Sequence, residues 1–339
     1  MGGHHARVYN QIDGAELIGV LDADAARCGT VAEQHGVKAF ADADELIAAG
    51  VEAVTIATPT TSHREMAEKL LNAGVACLIE KPLAETSEAA EAIRAAAEAN
   101  GTTLMVGHIE RFNPVIRAAQ AATADGFKIQ PRFIEVQRVS PMTFRSVDVS
   151  VVMDMMIHDL DVVLMLMDGD EPDEIEACGV GVVTEHDDVV NARLTWKRPE
   201  GTCVANISAS RLALKTERVT RITGENAYLK IDYANKSGVL IRRTANELQM
   251  HEMRDQLRNG ADLTNLDWSE LVNIEPLQIE DADMLTLEIE EFLSAVRTGS
   301  TPSIDATAGF ANVRTAERII ESIRETMGRE TMGRETTGG

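Results

Sequence analysis

The first third of the chain alternates short apolar runs with helix-like segments, and this alternation limits the possible folds more than any other feature. The apolar runs lie at residues 17–21, 53–57, 76–80 and 103–107, with helix-like segments at 25–35, 44–49, 62–73 and 87–99 between them. Strands that are apolar along their whole length are typical of a parallel sheet buried on both faces. Because such strands need right-handed crossovers, the sequence predicts an α/β, doubly wound parallel sheet.

The pattern changes after about residue 125. A helix is predicted at residues 151–167, and strand-like runs follow at 175–184, 189–196, 202–208, 218–223, 228–233 and 238–242. Turn residues separate these runs, which favours an antiparallel sheet. The polar stretch at 254–273 is interpreted as a surface excursion, and two helices, 284–297 and 307–324, are predicted to close the fold.

The start of the chain indicates part of a dinucleotide-binding motif. Asp22 ends the strand-like run at 17–21, about 20 residues after Gly2, as the Rossmann pattern of a glycine turn and a distant carboxylate requires. A carboxylate there would bind the ribose hydroxyls and repel a 2′-phosphate, which favours NAD over NADP; the alternative is an exposed turn. Gly2 takes the place of the third glycine, and no first strand precedes it. The sequence therefore predicts a chain that begins inside the motif, with Met1 as an internal residue of a longer protein.

Two further loops follow strands at the same edge of the predicted sheet. The first, after the run 53–57, opens a helix, and its hydroxyl and free N–H groups suit a phosphate or a ribose, although simple helix capping is the alternative. Its candidate cofactor-binding residues are Thr58, Pro59, Thr60 and His63. The second loop is Glu80-Lys81-Pro82, and Glu80 and Lys81 are further candidate cofactor-binding residues, with a surface ion pair as the alternative.

Asp154 and His158 form the strongest local pair, because residues four apart project from one face of a helix. A carboxylate beside an imidazole is an acid–base pair, and histidine titrates near neutral pH. A histidine satisfied within the core is the alternative. No third ligand has a fitting spacing, so no metal site is predicted.

Composition excludes several functions. The net charge of −23 argues against nucleic-acid binding, which needs clustered basic residues. No apolar run is long enough to span a membrane, and no signal peptide is recognisable. Four separated cysteines indicate free thiols, so a cytoplasmic protein is predicted.

Together, the EKP loop, the Ala57-Thr58-Pro59 turn and the Asp154/His158 pair resemble the Gfo/Idh/MocA family of oxidoreductases, and the resemblance covers nearly the whole chain. It implies an NAD-dependent dehydrogenase that oxidises a sugar hydroxyl by hydride transfer. It also implies that Lys81 contacts the reacting hydroxyl and the nicotinamide ribose. Asp154 would orient the sugar or the histidine, and His158 would accept the hydroxyl proton.

Residues 107–114 (GHIERFNP), 148–161 and 215–218 are similar to the UDP-N-acetylglucosamine 3-dehydrogenase-like members of this family. That similarity implies oxidation at C3 of a UDP-N-acetylhexosamine. Arg111, Asn113 and Lys215 are the candidate substrate contacts, since a diphosphate needs fixed cations; surface charge is the alternative. Two other functions stay open: an inositol- or aldose-type polyol dehydrogenase, and a cofactor-poor regulatory binding protein on the same scaffold.

The predicted domains are an NAD-binding domain at residues 1–120, an α+β domain at 121–326, and a disordered repeat tail at 327–339. The second domain would carry a large open, mainly antiparallel sheet, the substrate contacts and the oligomer contacts. By the family resemblance, a homodimer or a homotetramer is expected.

Overall fold

The computed structural model describes residues 1–123, 127–144, 147–260 and 271–328. The helices are α1 (Gly2–Tyr9), α2 (Ala25–His35), α3 (Ala43–Ala48), α4 (His63–Asn72), α5 (Ser87–Asn100), α6 (Pro114–Ala122), α7 (Ile157–Leu166), α8 (Glu247–Arg258), α9 (Met284–Thr298) and α10 (Ala306–Thr326). Single 3-10 turns occur at Thr60–Ser62 and Ile109–Phe112, and a π-helical turn occurs at Val152–Met156.

The strands of the first half are β1 (Gly19–Leu21), β2 (Lys38–Phe40), β3 (Ala53–Ile56), β4 (Ala76–Glu80) and β5 (Leu104–Gly107). The strands of the second half are β6 (Pro131–Val139), β7 (Glu174–Val180), β8 (Val189–Arg198), β9 (Gly201–Ser210), β10 (Glu217–Gly224), β11 (Ala227–Asp232), β12 (Ser237–Arg243) and β13 (Val272–Pro276). None of the helices in the described ranges is both long and apolar enough to cross a membrane.

The first five strands are parallel, but they form two sheets. β1 pairs with β2, and β3, β4 and β5 pair in that order. Within the described residues, no ladder joins β1 to β3, so the one continuous sheet predicted from the sequence is divided in two. The division leaves the apolar residues of β1 and most of β3 half-buried, whereas β5 is buried throughout. In the doubly wound strand order, a strand between these two would be central.

The second half forms one sheet of eight strands in the order β13-β12-β11-β10-β6-β9-β8-β7. Among the strands that the structure describes, only β6 and β9 are parallel neighbours, so the mainly antiparallel sheet is confirmed. β6 was not expected from the sequence, although it is the strand that joins the two halves of the sheet. Residues alternate between a buried face and a polar face along β8 and β9, which is the pattern of a sheet covered on one side.

Two apolar cores lie under these sheets. The core of the second half is built from residues of the π-helical turn and of α7, with Met156 and Leu160 among them, against one face of the eight strands. The core of the first half contains the parallel strands together with Leu285, Ile289 and Phe292 of α9. Thus α9, which the sequence-based boundary assigns to the second domain, packs on the first.

Helix α10 connects the two halves, because it packs against α5 and β5 as well as α7 and β7. Gly309 allows the close approach: a Cβ there would lie 2.6 Å from Val106 Cγ2 and 3.0 Å from Leu83 Cδ2. The predicted excursion at 254–273 contains the end of α8 and the start of β13, and its positions 261–270 lie outside the described residues. Of the predicted tail, residues 329–339 also lie outside them.

Candidate active site

The carboxyl ends of the parallel strands carry the predicted cofactor loops. Asp22 follows β1, Ala57 and Thr58 follow β3, Lys81 follows β4, and His108 follows β5. Gly2 begins α1 next to the β3 loop, where a Cβ on it would lie 3.9 Å from the Cβ of Ala57. Thr58 and Pro59 are exposed and Thr60 is half-buried, so this loop can be reached by a ligand. A helix N-terminus beside a strand-end loop is the usual place of a pyrophosphate.

Asp22 is not a free carboxylate. Its two oxygens accept hydrogen bonds from Arg27 Nε and Nη2, each at 2.6 Å, and Oδ1 also accepts one from the Asp24 amide. The Arg27 guanidinium holds the pKa of this carboxyl below its usual value. A ribose would therefore meet a carboxylate that an exposed arginine already neutralises, which the sequence analysis did not foresee.

His63 links the two cofactor loops instead of facing an open site. The ring is buried; Nε2 lies 3.0 Å from the Thr58 carbonyl and Nδ1 lies 3.1 Å from the Pro82 carbonyl. Both nitrogens are directed at backbone oxygens, so the ring holds the loop after β3 at a fixed distance from the loop after β4.

A second buried histidine supports the Glu80-Lys81 pair. His5 Nε2 lies 2.8 Å from Glu80 Oε1, and the Lys81 amide donates to Glu80 Oε2 at 3.3 Å. Gly107 brings β5 against this pair, because a Cβ there would lie 3.3 Å from Glu80 Cα. His5 therefore fixes the carboxylate beside Lys81, and sequence reasoning missed it because the two residues lie 75 positions apart.

Lys81 crosses from the first half of the molecule to the second. Its ammonium donates a hydrogen bond of 3.0 Å to the backbone carbonyl of Asp154. Burial lowers the pKa of Lys81, and the carboxylates of Asp154 and Glu80 oppose this effect. The sequence predicted that Lys81 and Asp154 share a site, and the structure brings them together through the carbonyl of Asp154.

Asp154 lies in the π-helical turn at Val152–Met156, and His158 lies in the first turn of α7. The sequence predicted an uninterrupted helix here; the wider turn is a difference that periodicity does not reveal, and such turns are frequent at functional sites. His158 is half-buried, and its Nδ1 is buried without a hydrogen-bond partner in the described structure.

The pKa of His158 lies well below the usual value of 6.5, first because of burial and then because of the positive charges of Lys81, Arg138 and Arg218. Its imidazole is therefore neutral at physiological pH and can accept a proton. His108, next to it, is fully buried; burial lowers its pKa too, and both its ring nitrogens lack hydrogen-bond partners within the described residues.

A buried ion network lies beneath the histidines. Arg138 on β6 binds both oxygens of Asp159, at 2.5 and 3.0 Å, and one oxygen of Glu110 at 3.0 Å. Arg218 on β10 is the cross-strand neighbour of Arg138 and lies 3.7 Å from Glu110. The sequence analysis quoted the segments that contain Glu110, Asp159 and Arg218 but did not single out these residues, and charged residues inside otherwise apolar segments were the available signal.

The three predicted substrate contacts lie in different surroundings. Arg111 donates to both oxygens of Asp161, at 2.6 and 2.7 Å, and to the Ser303 carbonyl, so each of its three guanidinium nitrogens already makes a hydrogen bond within the chain. Asn113 caps α6 by accepting from the Val115 amide. Lys215 is exposed in the connection between β9 and β10.

Glu288 on α9 is a further buried acid near this site. It is fully buried, and neither carboxyl oxygen has a hydrogen-bond partner within the described part of the chain. Burial, reinforced by the charge of Glu80, raises the pKa of Glu288 to about 9. The side chain is therefore a neutral acid at physiological pH.

A parallel sheet whose strand-end loops are joined by a lysine to the turn that precedes a neutral histidine is the arrangement of a dinucleotide-dependent oxidoreductase. The chain matches the oxidoreductase family model with an NAD-binding Rossmann fold over residues 1–108 and its C-terminal alpha/beta domain over residues 145–331. It belongs to the Gfo/Idh/MocA oxidoreductase family. The predictions of family, fold class and an NAD-binding fold are thereby confirmed.

Individual relatives agree with this assignment. UDP-N-acetylglucosamine 3-dehydrogenase of Acidithiobacillus ferrooxidans is 35% identical over 310 residues, which are 91% of this chain and 90% of that protein. A solved structure of that enzyme has a TM-score of 0.82 and covers 97% of this chain and 96% of its own. An inositol 2-dehydrogenase of Rubrobacter xylanophilus is 37% identical over 129 residues, 37% of each chain. A levoglucosan dehydrogenase complexed with NADH, 17% identical, has a TM-score of 0.79 and shares the fold.

Proposed function

We propose that this chain is an NAD-dependent dehydrogenase that oxidises the C3 hydroxyl of a UDP-N-acetylhexosamine to a ketone. The observation that carries the proposal is the contact of Lys81 Nζ with the Asp154 carbonyl, because it joins the cofactor edge to the turn that precedes His158. The 35% identity with a UDP-N-acetylglucosamine 3-dehydrogenase over 91% of this chain supports the substrate class.

The residues at the carboxyl edge fit a dinucleotide. Gly2 and the Thr58-Pro59-Thr60 loop would bind the pyrophosphate, Asp22 with Arg27 would meet the adenosine ribose, and Glu80 would hold Lys81 at the nicotinamide end. His63 would position the loops without contacting the cofactor. We propose NAD over NADP because Asp22 engages the guanidinium of Arg27, which would otherwise be available to a 2′-phosphate.

The reaction follows from the charges of the site. The neutral His158 accepts the hydroxyl proton, and we assign this to Nε2 because Nδ1 is buried. The ammonium of Lys81 stabilises the negative charge that develops on the sugar oxygen. As the proton leaves the hydroxyl oxygen, a hydride leaves the carbon that bears this oxygen and takes the electron pair of the C–H bond with it, so the alcohol becomes a ketone. Bound NAD supplies the acceptor for that hydride.

The second half also offers a surface for self-association. The uncovered face of the eight-stranded sheet is polar, with hydrogen bonds of 2.7 Å from Asn191 to Ser208 and 3.2 Å from Arg193 to Asn206. We propose that this face pairs with a second copy to form a homodimer or a homotetramer. Light scattering coupled to size-exclusion chromatography measures the molar mass of the particle in solution, and a monomeric mass at all protein concentrations would contradict the proposed self-association.

A substrate panel tests the function. The purified protein is mixed with NAD and, separately, with UDP-N-acetylglucosamine, its galacto epimer and myo-inositol, and the absorbance of reduced nicotinamide is followed. We expect reduction with a UDP-N-acetylhexosamine. Reduction with myo-inositol alone would replace the proposal by a polyol dehydrogenase, and NAD binding without reduction by any of these compounds would also refute it.

A further inference from the structure

The reaction centre is positive although the whole chain carries a net charge of −23. Among the charges that shift the pKa of His158 most, those of Lys81, Arg138 and Arg218 all lower it. No carboxylate is among these main contributions. The local surroundings of His158 therefore have an excess of positive charge that an anion would balance.

Arg138 does not account for this excess, because its charge is compensated. It engages both oxygens of Asp159 and one oxygen of Glu110 at hydrogen-bonding distances of 2.5–3.0 Å. The two carboxylates of the network are thus oriented toward Arg138.

Arg218 is the poorly compensated cation. Its one ion pair in the described structure is a 3.7 Å approach to Glu110, longer than a hydrogen bond. Burial and the neighbouring charge of Arg138 lower the pKa of Arg218, while the carboxylates of Glu110 and Asp159 oppose this effect. Its side chain is nevertheless 44% exposed, so its guanidinium can be reached from outside.

The strand register places this guanidinium on the reaction side of the sheet. Arg218 pairs with Arg138, and the buried residues Thr220 and Ile222 share its face of β10. Arg221, an odd position on the same strand, lies on the opposite, uncovered face. Arg218 and Arg221 thus carry the same charge on the same strand, but only Arg218 faces the reaction side of the sheet.

We propose that Arg218 is a specificity-determining residue that binds the diphosphate of a nucleotide-sugar substrate. A planar guanidinium offers paired donors that match phosphate oxygens. Arg218 lies on the sheet of the second half and approaches Glu110 in the turn after β5, whereas the loops expected to bind the pyrophosphate follow β1 and β3, so we assign it to the substrate and not to the cofactor pyrophosphate. The inference rests on the proposed function and deepens it by separating nucleotide sugars from neutral polyols.

Calorimetric titration with UDP tests this inference without turnover. We expect Arg218→Gln to weaken UDP binding about tenfold to a hundredfold, as the loss of a charge-assisted hydrogen bond does. Arg218→Lys should keep part of the affinity, because it keeps the charge but not the paired donors. Arg221→Gln is the matched control and should bind UDP as the parent does.

The same variants are titrated with NAD to distinguish the two phosphate sources, and NAD affinity should not change. Equal UDP affinity in the parent and in Arg218→Gln would overturn the inference, as would a parent that does not bind UDP. A loss of NAD affinity equal to the loss of UDP affinity would assign Arg218 to the cofactor and overturn it as well. UDP binding that depends on Arg218 in a protein that reduces no NAD would refute the proposed function alone.

Discussion

Glu288 shows how strongly one buried carboxyl without hydrogen bonds affects the stability of this fold. Its pKa is raised from 4.5 to about 9, so the folded chain keeps the carboxyl proton at neutral pH while the unfolded chain releases it. Because the unfolded state then binds fewer protons than the folded state, the free energy of unfolding falls as pH rises from about 4.5 to about 9. Each pH unit corresponds to about 1.4 kcal/mol, so the rise of about 2.5 units from about pH 4.5 to about pH 7 lowers the free energy of unfolding by about 3.5 kcal/mol.

The variant Glu288→Gln keeps the size of the side chain and removes its titration. The unfolding free energy of the variant minus that of the parent should rise by about 1.4 kcal/mol per pH unit between about pH 5 and about pH 8. Urea denaturation, followed by far-UV circular dichroism at several pH values, measures this difference.

Glu290→Gln is the matched control, because Glu290 is exposed on the same helix. Its difference from the parent should stay nearly constant over the pH range. If the parent and Glu288→Gln lose stability in parallel as pH rises, Glu288 is already ionised in the folded chain and the reasoning is wrong.

Three further predictions concern the reaction. His158→Asn, like Lys81→Ala, should lower turnover about 10²–10⁴-fold, as the loss of a positioned group does, while calorimetric NAD affinity stays largely intact. His251→Asn at the surface is the control, and near-parental turnover in His158→Asn would exclude that residue as the base. Because the pKa of His158 lies well below 6.5, kcat/KM should keep its neutral-pH value as pH falls through 6.5. A kcat/KM that has already fallen to half of its maximum at pH 6.5 or above would contradict a base that is neutral at that pH. Asp22→Ser should shift cofactor preference toward NADP, since it frees Arg27 for the 2′-phosphate. The ratio of the dissociation constants for NAD and NADP measures this preference, and a parent protein that binds NADP more tightly than NAD would refute the role assigned to Asp22.

Local sequence signals predicted much of the fold. The helix at Ala25–His35 and the strand at Ala76–Glu80 occur at the predicted positions, because apolar periodicity and capping residues lie within each segment. For the same reason the strand ends, and with them Lys81, could be placed at one edge of the sheet. His158 could be selected because an acid–base pair four residues apart is also a local pattern.

Long-range pairing could not be predicted. Arg138 meets Asp159 and Glu110 only after β6 and α7 pack together, and nothing local to β6 marks its arginine as a partner of either acid. Arg111 shows the reverse case: a motif resemblance suggested a substrate contact, while folding brings Asp161, 50 residues away in sequence, to its guanidinium. The division of the parallel sheet could not be predicted either, because it depends on which strands pair and not on where each strand lies in the sequence.

The gap between β1 and β3 makes the first domain two bodies joined mainly through helices. The smaller body, residues 19–48, carries Asp22, and the larger carries Lys81; in the described structure no strand ladder connects them, and the contacts of α1 with α2 and of α3 with α4 hold them together. Such a unit can open locally without unfolding the rest of the chain. A dinucleotide that reaches from Asp22 to Lys81 would contact both bodies and fix their relative position. The free energy needed to restrict this motion would be subtracted from the free energy of the contacts, so the measured affinity for the dinucleotide would be lower than its contacts alone imply.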